Sequence, residues 1–253
     1  MTQRIFITGA SSGIGEGLAR AYAKPGAHVG IVARRGDLLS ALAEDIEKAG
    51  ARAHAYAGDV VDTGFMATTA RAFVQAAGGV DLVVANAGIG IKDRIKDGDA
   101  AEIAALMRVN VIGVTNTVVP FVPAMLAQKS GVLSAVASFA GHRAMPGRTA
   151  YCASKAAVIS FMDGLRMDLF GSGVHAMSFC PGFVKTPLTT TNKGMRFVID
   201  VDEAVRIMID AVASRTDTIT FPWQMNVLRH IVTRAPEALV RKMAPPPRKA
   251  SSA

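Results

Sequence analysis

Arg4-Ile-Phe-Ile-Thr8, followed without a spacer by Gly9-Ala-Ser-Ser-Gly13-Ile-Gly15, decides the fold of this chain. The first five residues form a short apolar run of strand type. Helical periodicity takes over from Ile14 to Lys24 and is stopped by Pro25-Gly26. Glycines between a strand and a helix allow positive φ and let the backbone approach a ligand closely. The helix behind them offers N–H donors and the positive end of its dipole. With Ser11, Ser12 and Ile14 as its other members, the turn Gly9, Gly13, Gly15 reads as a cradle for a pyrophosphate rather than a plain tight loop. Its spacing is G-x3-G-x-G, not the commoner G-x-G-x-x-G.

The same strand–helix alternation continues along the chain. Strands are predicted at Arg4–Thr8, His28–Ala33, Arg52–Ala57, Asp81–Ala85, Val132–Ala137, Val174–Cys180 and Thr218–Phe221. Helices are predicted at Ile14–Lys24, Asp37–Ala49, Thr63–Ala77, Ala100–Gln128, Thr149–Phe170 and Asp202–Ser214. Strands separated by helices pair in parallel through right-handed crossovers. The expected fold class is α/β, a Rossmann-like doubly wound parallel sheet of about seven strands with helices on both faces and ligands at the carboxyl ends of the strands.

Composition sets limits. A chain of 253 residues with 50% apolar content and mean hydropathy +0.30 is long enough for one sizeable core. A single domain is expected over 1–222, with a helical extension at 223–243 and a disordered tail at 244–253. No secretory leader is expected, because Gly9 to Gly15 interrupts the first apolar stretch. The apolar run Val109–Met125 contains Asn110, Asn116, Pro120 and Pro123 and is read as a core helix, not a membrane span. Two cysteines, Cys152 and Cys180, suit reduced thiols in a cytoplasm and no metal site.

Chemistry is written later in the chain. Tyr151 and Lys155 lie one helical turn apart, and Ser138 precedes the tyrosine by thirteen residues at the end of an apolar strand. A free phenol has a pKa near ~10 and exchanges protons poorly at neutral pH. A cation held beside it favours the phenolate and is expected to lower that pKa. The serine hydroxyl adds a donor for a carbonyl oxygen. Such a set suits proton transfer at oxygen, and with a hydride carrier alongside it becomes a redox site.

Taken together, Thr8–Gly15, Asp59-Val60, Asn86-Ala87-Gly88, Asn110, Ser138, Tyr151-x3-Lys155 and Pro181-Gly182 resemble, in order and spacing, the short-chain dehydrogenase/reductase family. The resemblance covers almost the whole chain. It implies a nicotinamide cofactor, a small-molecule carbonyl or alcohol substrate, and a homodimer or homotetramer built on the helices at 100–128 and 149–170. It also implies roles for individual residues. Asp59 and the backbone of Val60 would meet the adenine, and Asn86, Ala87 and Gly88 the ribose. Pro181 and Gly182 would wall the nicotinamide, with Val184 at its carboxamide and Thr186 at the carboxamide or a phosphate oxygen. For Asn86 a purely structural tie between strands stands as an equal alternative. Asn110 would hold a water that links Lys155 to solvent, or else be a satisfied asparagine at a helix bend. Lys155 would also hold the nicotinamide ribose.

The end of the second strand points to NADP(H) over NAD(H). Ala33 occupies the place where an NAD site carries Asp or Glu, and Arg34-Arg35 follow. Guanidinium groups bind a 2′-phosphate through charge-assisted forks. Arg34 is expected at the phosphate, with Arg35 over the adenine. The expected activity is NADPH-dependent interconversion of a carbonyl and a primary or secondary alcohol, with Tyr151 as general acid/base. A 3-oxoacyl-carrier or steroid-type reductase is an alternative within enzymes, and a non-catalytic cofactor sensor or scaffold is one from another class.

Several conspicuous residues have plainer readings. His142 and Arg143 are expected in an exposed loop, Lys185 as a solvated loop charge, and Lys92, Arg94 and Lys96 as a charged rim. Met162, Met167 and Met208 are expected in helix packing. Net charge is +8, and residues 223–253 hold six Lys/Arg against one Glu. No nucleic-acid motif accompanies that charge. Met225, Val227, Leu228, Ile231, Val232 and Ala235 recur at helical spacing opposite Asn226, Arg229, His230, Thr233 and Arg234. A second short helix follows from Pro236, and Pro245-Pro-Pro247 ends regular structure. The apolar stripe is expected to pack on the enzyme or a partner subunit, with peripheral membrane contact as the alternative.

Overall fold

A computed structural model describes residues 3–90, 95, 100–190 and 195–241. The charged rim Lys92, Arg94 and Lys96, together with Met243 and the proline run Pro245–Pro247, lies outside the described residues. Seven strands form the sheet: β1 Arg4–Thr8, β2 His28–Ala33, β3 Arg52–Ala57, β4 Leu82–Ala85, β5 Gly131–Val136, β6 Val174–Pro181 and β7 Thr218–Phe221. Their order is β3-β2-β1-β4-β5-β6-β7, and every neighbouring pair is parallel. The chain winds outward from β1 to β3, returns to the middle at β4, and winds outward the other way. The gap between the ends of β1 and β4 is therefore the switch point, where an open parallel sheet offers a crevice.

The helices are α1 Gly13–Tyr22, α2 Gly36–Lys48, α3 Thr63–Ala77, α4 Ala101–Met107, α5 Gly113–Val118, α6 Val122–Gln128, α7 Thr149–Asp168, α8 Val201–Ala213, α9 Trp223–Arg234 and α10 Glu237–Arg241. Central strands bury side chains on both faces, which is why they read as unbroken apolar runs. Ile5, Ile7, Val29, Ile31, Leu82 and Val84 face α1, α2 and α8. Phe6, Val32, Val83, Leu133 and Ala135 face α3, α5 and α7, where Phe6, Phe73 and Phe121 form an aromatic cluster with centroids 4.7–6.5 Å apart. Below the crevice, the Arg4 guanidinium grips the Asp81 carboxylate (Nε–Oδ2 3.0 Å, Nη2–Oδ1 2.5 Å) and pins the start of β1 to the start of β4.

The single helix expected at 100–128 is a rod in three pieces. A π-turn at Arg108–Ile112 joins α4 to α5, and a 3₁₀ turn at Val119–Phe121 joins α5 to α6. Pro120 and Pro123 cannot donate to the preceding turn, which accounts for the second break. By length and composition Ala101–Gln128 could cross a membrane, but 44% of its most apolar window is buried inside the protein. Met162 and Met208 pack in the core as expected, whereas Met167 is exposed.

The C-terminal helices depart from the expected single stripe. Met225 is buried and Leu228 and Val232 are half-buried, while Val227 and Ile231 join Trp223 on the outer side. Arg229, expected among the outward polar residues, is half-buried and turns toward His142 and Cys180, whose proton affinities its charge lowers.

Candidate functional site

A cleft of about 400 Å³ runs along the carboxyl ends of the strands and crosses the switch point. Every site residue named from the sequence lines it except Gly15 and Asn110, which stand one layer behind. Gly9 takes φ +67°, and a Cβ there would lie 2.8 Å from Ala87 Cα. Gly13 takes φ +58°, and a Cβ there would meet Thr186 Cγ2 at 3.1 Å. The turn is thus held to bare backbone on two sides, as close approach to a phosphate group requires. Thr186 closes it from across the cleft, fixed by its backbone N–H donating to Thr189 Oγ1 at 3.1 Å. Asn86 donates from Nδ2 to the carbonyls of Thr8 (3.0 Å) and Gly9 (3.2 Å), so its amide ties β4 to the turn.

The two arginines divide differently from expectation. Arg35 Nη2 donates to Ser11 Oγ at 2.8 Å and Ser12 Oγ at 3.0 Å, which lays its guanidinium along the glycine turn. Arg34 leans the other way, with Nη1 3.9 Å from Asp59 Oδ2. Asp59 also accepts from the Val61 N–H at 3.2 Å, and Val60 is buried at the cleft wall. Ala33 leaves no carboxylate at the second-strand end.

Ser138 caps a short 3₁₀ turn, Phe139–Gly141, and its hydroxyl accepts from the Ala140 N–H at 3.1 Å. That turn sets the serine beside Tyr151 of α7 at the cleft wall. Burial pushes the Tyr151 phenol above its ordinary value, and the nearby Ser138 hydroxyl only partly offsets it. The expected lowering by Lys155 is not what the chain displays. Lys155 Nζ sits 5.8 Å from the centre of the Tyr151 ring and donates to the Val136 carbonyl at 2.8 Å. Lys155 is itself buried, and loss of hydration lowers its pKa to about 8.

Behind them stands Asn110, wholly buried in the π-turn. Its Oδ1 accepts from the Ile89 N–H at 2.8 Å, and its Nδ2 donates to Ile89 O at 3.0 Å and Ser154 Oγ at 3.2 Å. A Cβ on Gly88 would lie 3.3 Å from Asn110 Oδ1 and 3.5 Å from Lys155 Nζ, so the small residue leaves a gap between amide and ammonium. The clasp on Ile89 went unnoticed in the sequence, whereas Leu188 and Thr189, which line the cleft, fall in the stretch 187–200 that the sequence marks as shaping a substrate pocket.

Two loop residues are corrected. His142 is not an exposed loop side chain. It is half-buried with Nε2 3.1 Å from Thr220 Oγ1 on β7, and burial and Arg229 hold its pKa below the usual range. Arg143 donates to the Ala235 carbonyl at 3.2 Å, which ties the loop after β5 to the end of α9. Lys185 forms an exposed pair with Asp200 at 2.8 Å. Cys152 and Cys180 are buried and not joined in a disulfide, the Cys180 thiol pushed up to about 12 by burial.

Comparison with known proteins agrees with this arrangement. A family profile described as short chain dehydrogenase matches residues 3–196. An uncharacterized oxidoreductase of Myxococcus xanthus is 38% identical over 234 residues, 92% of each chain. A short-chain dehydrogenase/reductase of Burkholderia phymatum in complex with NAD superposes with TM-score 0.83 at 25% identity, over 99% of this chain and 98% of that one. An alcohol dehydrogenase of Thermococcus sibiricus complexed with 5-hydroxy-NADP does so with TM-score 0.78 at 26% identity, over 87% and 96%.

Proposed function

The chain belongs to the short-chain dehydrogenase/reductase family, and on that premise we propose an NADP(H)-dependent enzyme that interconverts a carbonyl and a primary or secondary alcohol. The family's oxidoreductases act on CH–OH and C=O groups of small molecules with a nicotinamide cofactor. The observation that carries the proposal is that Ser138, Tyr151 and Lys155 line the same cleft as the glycine turn, with the lysine one helical turn from the tyrosine.

A nicotinamide cofactor, held by the glycine turn and Arg35, would supply hydride at the cleft. The chain's own groups manage the oxygen. Because burial raises its pKa, Tyr151 is a neutral phenol at neutral pH, with a proton to give. A carbonyl oxygen seated between the two hydroxyls accepts from both, and its growing negative charge strengthens those bonds. The proton then passes from Tyr151 to the alkoxide oxygen. The tyrosinate left behind faces the Lys155 ammonium, which is still protonated below a pH of about 8. Alcohol oxidation runs the same steps backward.

For the cofactor, the relatives bind either form, and the arginines support NADP(H). Ala33 presents no charge to repel a 2′-phosphate, and Arg35 with Ser11 and Ser12 offers several hydrogen bonds in one place. The reading of a homodimer or homotetramer rests on apolar side chains left outside: Ile112, Val119 and Leu126 along the α4–α6 rod, Met167 on α7 and Phe170 just past it.

The test is NADPH absorbance loss with a panel of ketones, aldehydes and acyl thioesters, run in parallel with NADH. We expect turnover on at least one class with NADPH preferred. The Tyr151→Phe variant should retain NADPH binding and lose more than about a thousandfold in kcat, on the order of 4 kcal/mol of barrier. If that variant keeps a tenth of the activity, or if NADH is preferred, the respective half of the reading is wrong.

A further inference from the structure

The outer face of α9 and α10 carries apolar surface that the fold does not use. Trp223, Val227 and Ile231 recur every fourth residue and are 72%, 52% and 62% exposed, and Leu239 on α10 adds another at 58%. The inner face does the anchoring. Met225 packs so closely on the Pro181-Gly182 turn that a Cβ on Gly182 would lie 2.6 Å from its side chain, and the end of α9 is held by Arg143. Removing the outer side chains would therefore leave α9 docked.

The segment that carries this stripe is strongly basic. Residues 223–253 hold six Lys/Arg against Glu237 alone; Arg229 turns inward, while Arg234 at the end of α9 is exposed. We propose that the Trp223–Val227–Ile231 face, with Leu239, docks on an anionic lipid surface, α9 lying in the plane of the headgroups. With 12 residues α9 is about 18 Å long, too short to span a bilayer but long enough to lay an amphipathic face along one. Tryptophan is the side chain most at home at that boundary, and basic residues are drawn to anionic headgroups.

Other occupants fit less well. A second copy joined through this face by a two-fold axis would set the same +5 segment against itself, so like charges would oppose the contact. Nor does the rest of the chain offer a cover. Residues 242–253 contribute Met243 as their one large apolar side chain, beside three basic residues and three prolines. The proposal is independent of the catalytic reading, since it is measured without turnover.

Trp223 is the only tryptophan in the chain, so its fluorescence reports this face directly. Full-length protein is mixed with vesicles of phosphatidylcholine, with and without phosphatidylserine. Phosphatidylserine vesicles should shift the emission to the blue and carry the protein upward on flotation, and added salt should reverse both. The Val227→Ser/Ile231→Ser variant, with circular dichroism and Tm unchanged, should partition at least about tenfold less. Unchanged emission and no flotation with folded protein would overturn the proposal. So would equal binding to neutral vesicles, or full binding by the double variant. A blue shift that follows protein concentration in the absence of lipid would give the face to a second copy instead.

Discussion

At the scale of single residues, the site spends stability on chemistry. Lys155 is buried as a cation, with its pKa lowered to about 8 by lost hydration. The unfolded chain, where this lysine titrates near 10.5, binds its proton more tightly. Below pH 8 both states are protonated and the folded state bears the full penalty. Between about 8 and 10.5 the folded state sheds the proton first, so this contribution to stability rises with pH across that window. Lys155→Met should therefore stabilise the protein at pH 7 by roughly 1–2 kcal/mol, after allowing for the Val136 carbonyl it leaves unpaired, while abolishing turnover. Urea denaturation at pH 7 and pH 10 checks it; the gain should shrink at the higher pH. The arginines give a second outcome. Arg35→Ala should raise the KM for NADPH by about 10–100-fold and leave NADH nearly unaffected, through the loss of charged hydrogen bonds of ~1.5–3 kcal/mol. Arg34→Ala, with its guanidinium leaning toward Asp59, should do less. Equal effects of Arg35→Ala on both cofactors would assign Arg35 to the turn's own structure.

At the scale of elements, two polar side chains act on helices in different ways. Asp62 caps α3, its Oδ1 accepting from the Phe65 N–H at 2.9 Å on the surface. Asp62→Ala should cost about 1 kcal/mol and leave kcat unchanged. Asn110 sits where the rod α4–α6 widens into a π-turn, and its amide clasps both backbone groups of Ile89 in a buried place. Asn110→Ala strands those groups, so a cost of about 2–4 kcal/mol is expected together with a drop in kcat. Urea midpoints and kcat measured on the two variants separate a cap from a site support. Equal, small effects of both would reduce Asn110 to an ordinary helix residue. π-Turns of this kind recur at functional sites because the extra residue re-aims a side chain.

For the whole molecule, the unpaired apolar groups on α4–α6 and around the end of α7 predict self-association. Met167→Glu/Phe170→Glu puts two charges into that surface, and sedimentation should then show a smaller species than the parent chain at micromolar concentration. The seven-stranded sheet should be untouched, since both side chains lie outside both cores. A parent chain that already sediments as a monomer would remove the oligomer reading.

The sequence by itself determined the sheet, because its signals are local: apolar runs of strand length, helical periodicity, and glycines or prolines at the joints. Each expected end falls within two residues of the observed one. It also marked residues that the fold gathers in one cleft, because Tyr151-x3-Lys155 and the glycine turn are short motifs whose places are fixed by the topology. Only the tertiary structure decided how neighbours share work. Arg34 and Arg35 are adjacent in sequence, yet one leans toward Asp59 and the other toward Ser11, since those partners lie on different loops. The balance at Tyr151 turned on burial, which no spacing reveals, and His142 found Thr220 seventy-eight residues away. The periodicity of 225–235 marked a helix with an apolar side, but β7 and the Gly182 turn selected which part of that side went inward. Val227 and Ile231 were left outside for a purely geometric reason: a helix resting on the edge of a sheet can bury only the strip that touches it.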